Sequence, residues 1–285
     1  MGVVSDIERK LAHLRAAQED DGVPELRTST MTHIVWAPPR WLARAQRVLE
    51  GLAERHPSRT IFLVPDPGKG DGVEAHATVK DFAVRDGREV LSEVIEIHLR
   101  GRSADHPASV VLPLLISDLP AFCRWRGEPT WGSPALAELS SVCDRFVVDS
   151  NEWTGLPAAY ACLAELFRGP AVSDLAWRRT LPWRVRIAEL WPGVRSVRKL
   201  RVEGPKADAL LLAGWLRSRL RREIALTHRA AESVTGVWVD GVAVPTPFTD
   251  RPSGSQLLSA ELDTLARDPV YEAAIGTFAL PRKRA

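Results

Sequence analysis

Between residues 28 and 64 the chain switches from one hydrophobic period to another and back, and this limits the folds open to it more than any other feature. Thr28–Trp36 is rich in β-branched residues and predicts a strand. Pro38-Pro39 follows, with Pro39 suited to the first position of a helix. Leu42, Ala45, Val48, Leu49 and Leu52 then recur at helical spacing, His56-Pro57 stops that helix, and Thr60–Val64 is a second short apolar strand. A strand–helix–strand unit of this kind predicts two parallel strands joined by a right-handed crossover.

The segments around it continue the alternation. Ser5-Asp6-Ile7-Glu8 fits a capping box, and Ile7, Leu11 and Leu14 extend it into an amphipathic helix over 5–19, ended by Gly22 and Pro24. Val73–Val84 and Glu89–Leu99 read as two β runs joined by Arg85-Asp86-Gly87-Arg88, where Asp-Gly signals a hairpin. Ser103–Ser117 reads as helical but interrupted by Pro107 and Pro113. Ala121–Trp125 and Arg145–Asp149 read as short strands, with helices from Ser133-Pro134 through Val142 and over Pro157–Arg168. Residues 1–170 thus predict an α/β domain, a mixed sheet flanked by helices.

A helical connector is expected over 171–192, and a smaller α+β C-terminal domain over 193–285. Val197–Val202, Ile224–His228 and Gly236–Val244 predict its strands. Lys206–Leu220 predicts a helix with Leu210, Leu211, Trp215 and Leu216 on its apolar side, and Ser255–Arg267 a closing helix.

Charge and composition exclude several function classes. Lys and Arg number 38 against 36 Asp and Glu, so a net charge of +2 gives no general attraction to nucleic acid. The basic end Pro281-Arg282-Lys283-Arg284-Ala285 reads as a solvated tail. The first twenty residues are charged, unlike a signal peptide, and Val110–Ile116 is too short to span a bilayer, so the expectation is a cytoplasmic protein without membrane association. Cys123, Cys143 and Cys162 lack the spacing of a zinc site or a disulfide framework and are expected to be buried thiols. No metal and no cofactor are expected.

No catalytic constellation is visible. The seven histidines form no metal-binding pair, and His98 and His106 read as structural. Nucleophile-elbow and dinucleotide fingerprints are absent, and Gly68-Lys69-Gly70 lacks phosphate-loop spacing and reads as a turn. Two groups of residues remain. Trp36, the run Arg124-Trp125-Arg126 and Asp149 lie at expected strand ends, where open α/β sheets bind ligands; as a pocket they would hold a phosphosugar, making the chain a sensor or an enzyme. Ser173–Arg184 places two tryptophans, three arginines, an aspartate and a proline in twelve residues. Trp and Arg are enriched at binding hot spots, so this segment points to recognition, with a buried Trp pair at a helix junction as the other reading.

Three stretches resemble the glucose-6-phosphate dehydrogenase assembly protein family, known as OpcA. His56-Pro57-Ser58-Arg59-Thr60-Ile61 is similar to its His-Pro-x-Arg motif, and Ser117–Trp125 to its segment entering a Trp-bearing strand. Ser173-Asp174-Leu175-Ala176-Trp177-Arg178-Arg179-Thr180-Leu181-Pro182-Trp183-Arg184 is similar to its Asp-Leu-Ala-Trp-x-Arg signature and is the specific match. The resemblance implies a non-catalytic protein that binds glucose-6-phosphate dehydrogenase, as an assembly factor or allosteric activator serving NADPH supply in the oxidative pentose phosphate pathway. Trp177, Arg178, Trp183 and Arg184 would then anchor the partner surface, with Asp174 capping the helix that presents them.

Overall fold

The structure is a computed structural model and describes residues 3–19, 29–52, 55–68, 70–84, 88–247 and 252–279. The chain begins α1 (Val3–Glu19), β1 (Met31–Trp36), α2 (Pro39–Glu50), β2 (Ser58–Asp66), β3 (Gly72–Val84), β4 (Arg88–Arg100), α3 (Ala108–Val111), β5 (Ala121–Trp125), α4 (Pro134–Val142) and β6 (Arg145–Val148). It continues with α5 (Ala158–Leu166), β7 (Ala171–Asp174), α6 (Leu175–Arg179), α7 (Leu181–Ala188), β8 (Lys199–Gly204), α8 (Lys206–Leu220), β9 (Ala225–Ala230), β10 (Gly236–Val239), β11 (Val242–Ala243), α9 (Gly254–Leu262) and α10 (Pro269–Gly276). These elements form two compact units, Met1–Val147 with Gly254–Leu265, and Val148–Ser253 with Ala266–Ala285.

In the first unit the strands stand in the order β3-β4-β2-β1-β5-β6. β1 runs parallel to β2 and β5, β2 parallel to β4, and β5 parallel to β6, while β3 is antiparallel to β4. The sheet is therefore mixed, as the alternation predicted. β1 and β5 are buried along their whole length, which requires cover on both faces and explains why they read as continuous apolar runs. α2 packs on β2 and α4 on β5. α9 returns from far along the chain: Ser259 Oγ lies 2.7 Å from His56 Nε2, and Glu261 accepts from Arg145 at 3.2 Å with both side chains buried.

The second unit has a four-stranded sheet in the order β11-β10-β8-β9, with β8 parallel to β9 and antiparallel to β10. α8 packs on β8 and β9. Its residues from Ala207 to Gly214 are all buried, the carboxyl of Asp208 among them. Trp183, Ile187, Val202, Leu212 and Val237 belong to one core cluster beside it.

Several local expectations change. α1 starts at Val3, so Ser5 is inside the helix, and Glu8 accepts from Arg59 Nη1 at 3.2 Å rather than closing a capping box. The stretch 103–117 breaks into short turns and α3 because its two prolines interrupt backbone donation. Gly236–Val244 is two strands, β10 and β11, turned by Asp240 (φ 47°) and Gly241 (φ 87°). The helical connector expected over 171–192 is β7, α6 and α7 in succession. The closing helix over 255–267 stops at Leu262, and α10 follows, capped by Asp268, whose carboxylate accepts from the Val270 and Tyr271 amides at 2.9 and 3.0 Å. Cys123 and Cys143 are buried but Cys162 is exposed. The Asp86-Gly87 turn, Gly22, Pro24, Thr28, Lys69 and the basic end lie outside the described residues.

The first compact unit breaks off after Val147 and takes up Gly254–Leu265, whereas the sequence order suggests divisions at 170 and 192.

Candidate functional site

The segment after β7 is built from a buried aspartate outward. Asp174 ends β7 and caps α6 by accepting from the Ala176 amide at 2.9 Å. It also accepts from the Ser150 amide at 3.0 Å and the Ser150 hydroxyl at 2.6 Å. Burial, followed by the nearby charge of Asp149, pushes its carboxyl up to about 6. Asp149 itself is held by Arg179, with Nη1 donating to Oδ1 at 2.8 Å and Nη2 donating to Oδ2. Burial alone would lower the Arg179 guanidinium, but the Asp149 bond and charge outweigh it and the group is raised. Asp208 completes the cluster. It accepts from Asn151 Nδ2 at 3.0 Å, and burial pushes it up to about 7 against the pull of Arg179.

Trp177 follows on α6. It is 4% exposed, donates from Nε1 to Asp268 Oδ2 at 2.8 Å, and meets the Tyr271 ring with centroids 5.5 Å apart. The Arg184 guanidinium sits 3.4 Å from the Trp177 ring centroid and donates to Thr180 Oγ1 at 3.2 Å and to the Trp177 carbonyl at 3.1 Å. Burial lowers the Arg184 guanidinium to about 10, and it remains a cation at neutral pH. Trp183, 6% exposed, points into the core cluster of the second unit, and Arg178 is half-buried. Of the five residues singled out in this segment, none is exposed: Asp174, Trp177 and Trp183 are buried, and Arg178 and Arg184 half-buried.

What the segment presents to solvent is different. Leu181, Val185 and Trp191 are 44%, 48% and 62% exposed, and Ala188 is exposed with them. These residues were missed in the sequence. Their signal was the 181, 185, 188 spacing on the helix face opposite Trp183 and Ile187.

The strand-end group in the first unit is brought together but filled by its own side chains. Trp36 and Trp125 are register partners on β1 and β5, at the point where the strand order reverses, and their rings stack with centroids 4.6 Å apart. Both are buried, so the ring faces meant for a ligand are used by each other. Arg124 Nη1 donates to the Trp125 and Val147 carbonyls, and the Arg126 guanidinium lies 4.8 Å from the Trp41 ring centroid. Asp149 belongs to the second unit and the Arg179 pair.

The first unit also holds a serine, a histidine and an aspartate. Ser259 Oγ and Asp263 Oδ1 both approach His56 Nε2, at 2.7 and 3.9 Å. Triad chemistry needs the carboxylate on the other ring nitrogen, so this contact locks α9 in place. The nearby His33 is buried, and burial together with Arg124 and His56 holds it down at about 3, a neutral core histidine. Among the described residues no cluster of His, Cys, Asp or Glu is placed to hold a metal ion, and no helix is long and apolar enough to cross a membrane.

Two family models match in succession, a glucose-6-phosphate dehydrogenase subunit N-terminal domain over residues 49–165 and the corresponding C-terminal domain over 170–247. The chain belongs to the glucose-6-phosphate dehydrogenase assembly family, OpcA. A relative from Nostoc punctiforme, named as an OxPP cycle protein OpcA, is 29% identical over 186 residues. That alignment covers 61% of this chain and 40% of the relative, so the chain spans about two fifths of the curated OpcA it matches. The C-terminal family model, over residues 170–247, includes β7, α6 and α7, the stretch in which buried Trp–Arg packing and an exposed apolar face coincide.

Proposed function

We propose that this protein is a non-catalytic assembly factor or allosteric activator of glucose-6-phosphate dehydrogenase, acting in the oxidative pentose phosphate pathway and in the cytoplasm with that enzyme. The observation that carries the reading is that both matched family models are described as domains of a subunit of that dehydrogenase. In this reading the segment around α6 and α7 is the partner-binding element. Asp174, Trp177 and Trp183 fix its shape, and Arg178 and Arg184 border the face it presents. Activation follows if the protein binds the active oligomer or conformation of the enzyme more tightly than the inactive one, since only differential affinity shifts such an equilibrium. A tenfold preference amounts to about 1.4 kcal/mol.

The test is the rate of the dehydrogenase encoded by the same genome, with and without this protein, at several substrate concentrations. A higher kcat or a lower KM, with no turnover by this protein alone and with co-elution of the two, is the expected result. Unchanged rates and separate elution sink the proposal. The sequence-order division at 170 and 192 is also a proposal. First proteolytic cuts near those positions support it, and first cuts near 147 or 253 oppose it.

A further inference from the structure

α7 is apolar on two faces, and only one is covered. Trp183 and Ile187 are buried in the core of the second unit, while Leu181, Val185 and Ala188, one and two turns apart, stand exposed on the other side. Trp191, 62% exposed, stands three residues past the end of the helix, with the Arg195 guanidinium 5.3 Å from its ring centroid. A surface helix ordinarily carries polar residues on its outer face, so an apolar outer face beside an exposed Trp is the pattern of a contact surface.

The charge around the stripe states what kind of surface fits it. Residues 175–198 contain six arginines and a single acidic residue, Glu189. That carboxylate is bonded to Arg186 at 2.9 Å and Arg179 is held by Asp149, so the positive charge that remains on this segment includes Arg184, over the Trp177 ring, and Arg195, over the Trp191 ring. An apolar strip with an arginine rim is complementary to an apolar patch ringed by carboxylates. A neutral surface would leave the rim charges without partners, and a basic one would set them against their own kind.

We infer that the exposed face of α7, Leu181, Val185 and Ala188, together with Trp191 beyond its end, is the docking surface for an acid-rimmed apolar patch on glucose-6-phosphate dehydrogenase. This rests on the function proposed above, because that function names the partner. The buried tryptophans hold the helix in place, and the residues that touch the partner are the ones beside them. The two roles separate experimentally, since the stripe residues can be changed without opening the core.

The experiment is surface-immobilised binding of this protein to the purified dehydrogenase, at low and high sodium chloride, for the wild type, Leu181→Glu, Val185→Glu and Val242→Glu. Val242 is a control, 66% exposed on β11 of the same unit. The expected result is wild-type binding that weakens with salt, at least a tenfold rise in Kd for Leu181→Glu and Val185→Glu, and no change for Val242→Glu. Melting temperatures of all variants should match the wild type. If the wild type binds and both stripe variants bind equally well, the surface is wrong while the proposed function stands. If the wild type itself does not bind, the proposed function fails and the docking surface with it. Affinity that does not fall with salt overturns the acid-rimmed patch. A self-associated protein that Val185→Glu makes monomeric gives the stripe to a second copy of this chain and overturns the proposal. Loss of folding in both stripe variants would make the face core and do the same.

Discussion

Asp208 and Asp174 are carboxyls that folding removes from water, and this gives the second unit a pH dependence of definite sign. Their ordinary value is 3.8, and burial raises them to about 7 and about 6. Between pH 4 and 7 the folded chain keeps protons that the unfolded chain has released. Stability from these groups is therefore highest below pH 4 and falls as pH rises, by up to about 1.4 kcal/mol per pH unit for each group. Asp208→Asn keeps an acceptor for Asn151 and removes one of the two titrations. Urea unfolding at pH 4.5, 6 and 7.5 should show the variant gaining on the wild type as pH rises, with the gain levelling off above about 7. A constant difference across that range would mean Asp208 ionises freely in the fold. Trp177 is the other residue with a sharp expectation. Its ring is buried, its N–H is bonded to Asp268, and Arg184 stacks on it, so Trp177→Ala should cost about 3–5 kcal/mol and lower the urea midpoint. A lost activation in that variant would therefore report an opened core, and an unchanged midpoint would return Trp177 to the surface role its sequence suggested.

The turn between β10 and β11 shows what an element owes to two residues. Asp240 and Gly241 both have positive φ, the conformation that matches the twist of a two-residue hairpin. A Cβ added at Gly241 would meet nothing within 4 Å, so Gly241→Ala isolates the backbone cost. About 1–2 kcal/mol of destabilisation is expected, read from the shift in thermal midpoint. An unshifted midpoint would show the turn relaxing to another form. The same dipeptide was read as a turn at Asp86-Gly87, outside the described residues, and overlooked here, because apolar residues on both sides of Asp240 suggested one continuous strand. α10 was overlooked in the same way, although Asp268-Pro269 is a cap and first-turn pair like Ser133-Pro134, which was read correctly. β1, α2, β2 and α8 were legible because their signals are periodic and local. The return of α9 to the first unit was not, since its contacts join His56 to Ser259 across 203 positions and Arg145 to Glu261 across 116. In the candidate site the Trp–Arg segment was legible by residue type. Which side of it faces water depends on α8 and α10, and residue type carries no record of that.

At the scale of the molecule, the last fifty residues are shared between the two units: α9 closes the first, and α10 then closes the second. α10 packs on α8 and α5, and Tyr271, Ala274 and Ile275 are fully buried. Gly214 permits this packing, since a Cβ there would stand 2.7 Å from the Ala274 carbonyl oxygen. Phe278 lies against Tyr160 with centroids 5.1 Å apart, and Asp268 holds the Trp177 indole. A chain ending at Ala266 keeps α9, with its His56 and Arg145 contacts, and loses all of these others. Exposing Tyr271, Ile275 and their neighbours forfeits about 1.5–3 kcal/mol per large side chain, a sum of the order of the 5–15 kcal/mol that holds a domain together. Hydrogen exchange followed by mass spectrometry should then show the amides of α6 and α8 losing protection, while β1, β2 and β5 stay as slow as in the full chain. If α8 keeps its protection, α10 is an accessory and the second unit is stable without it. If β1 and β5 lose theirs as well, the two units unfold as one, and substitutions in either would have to be judged on the stability of the whole chain.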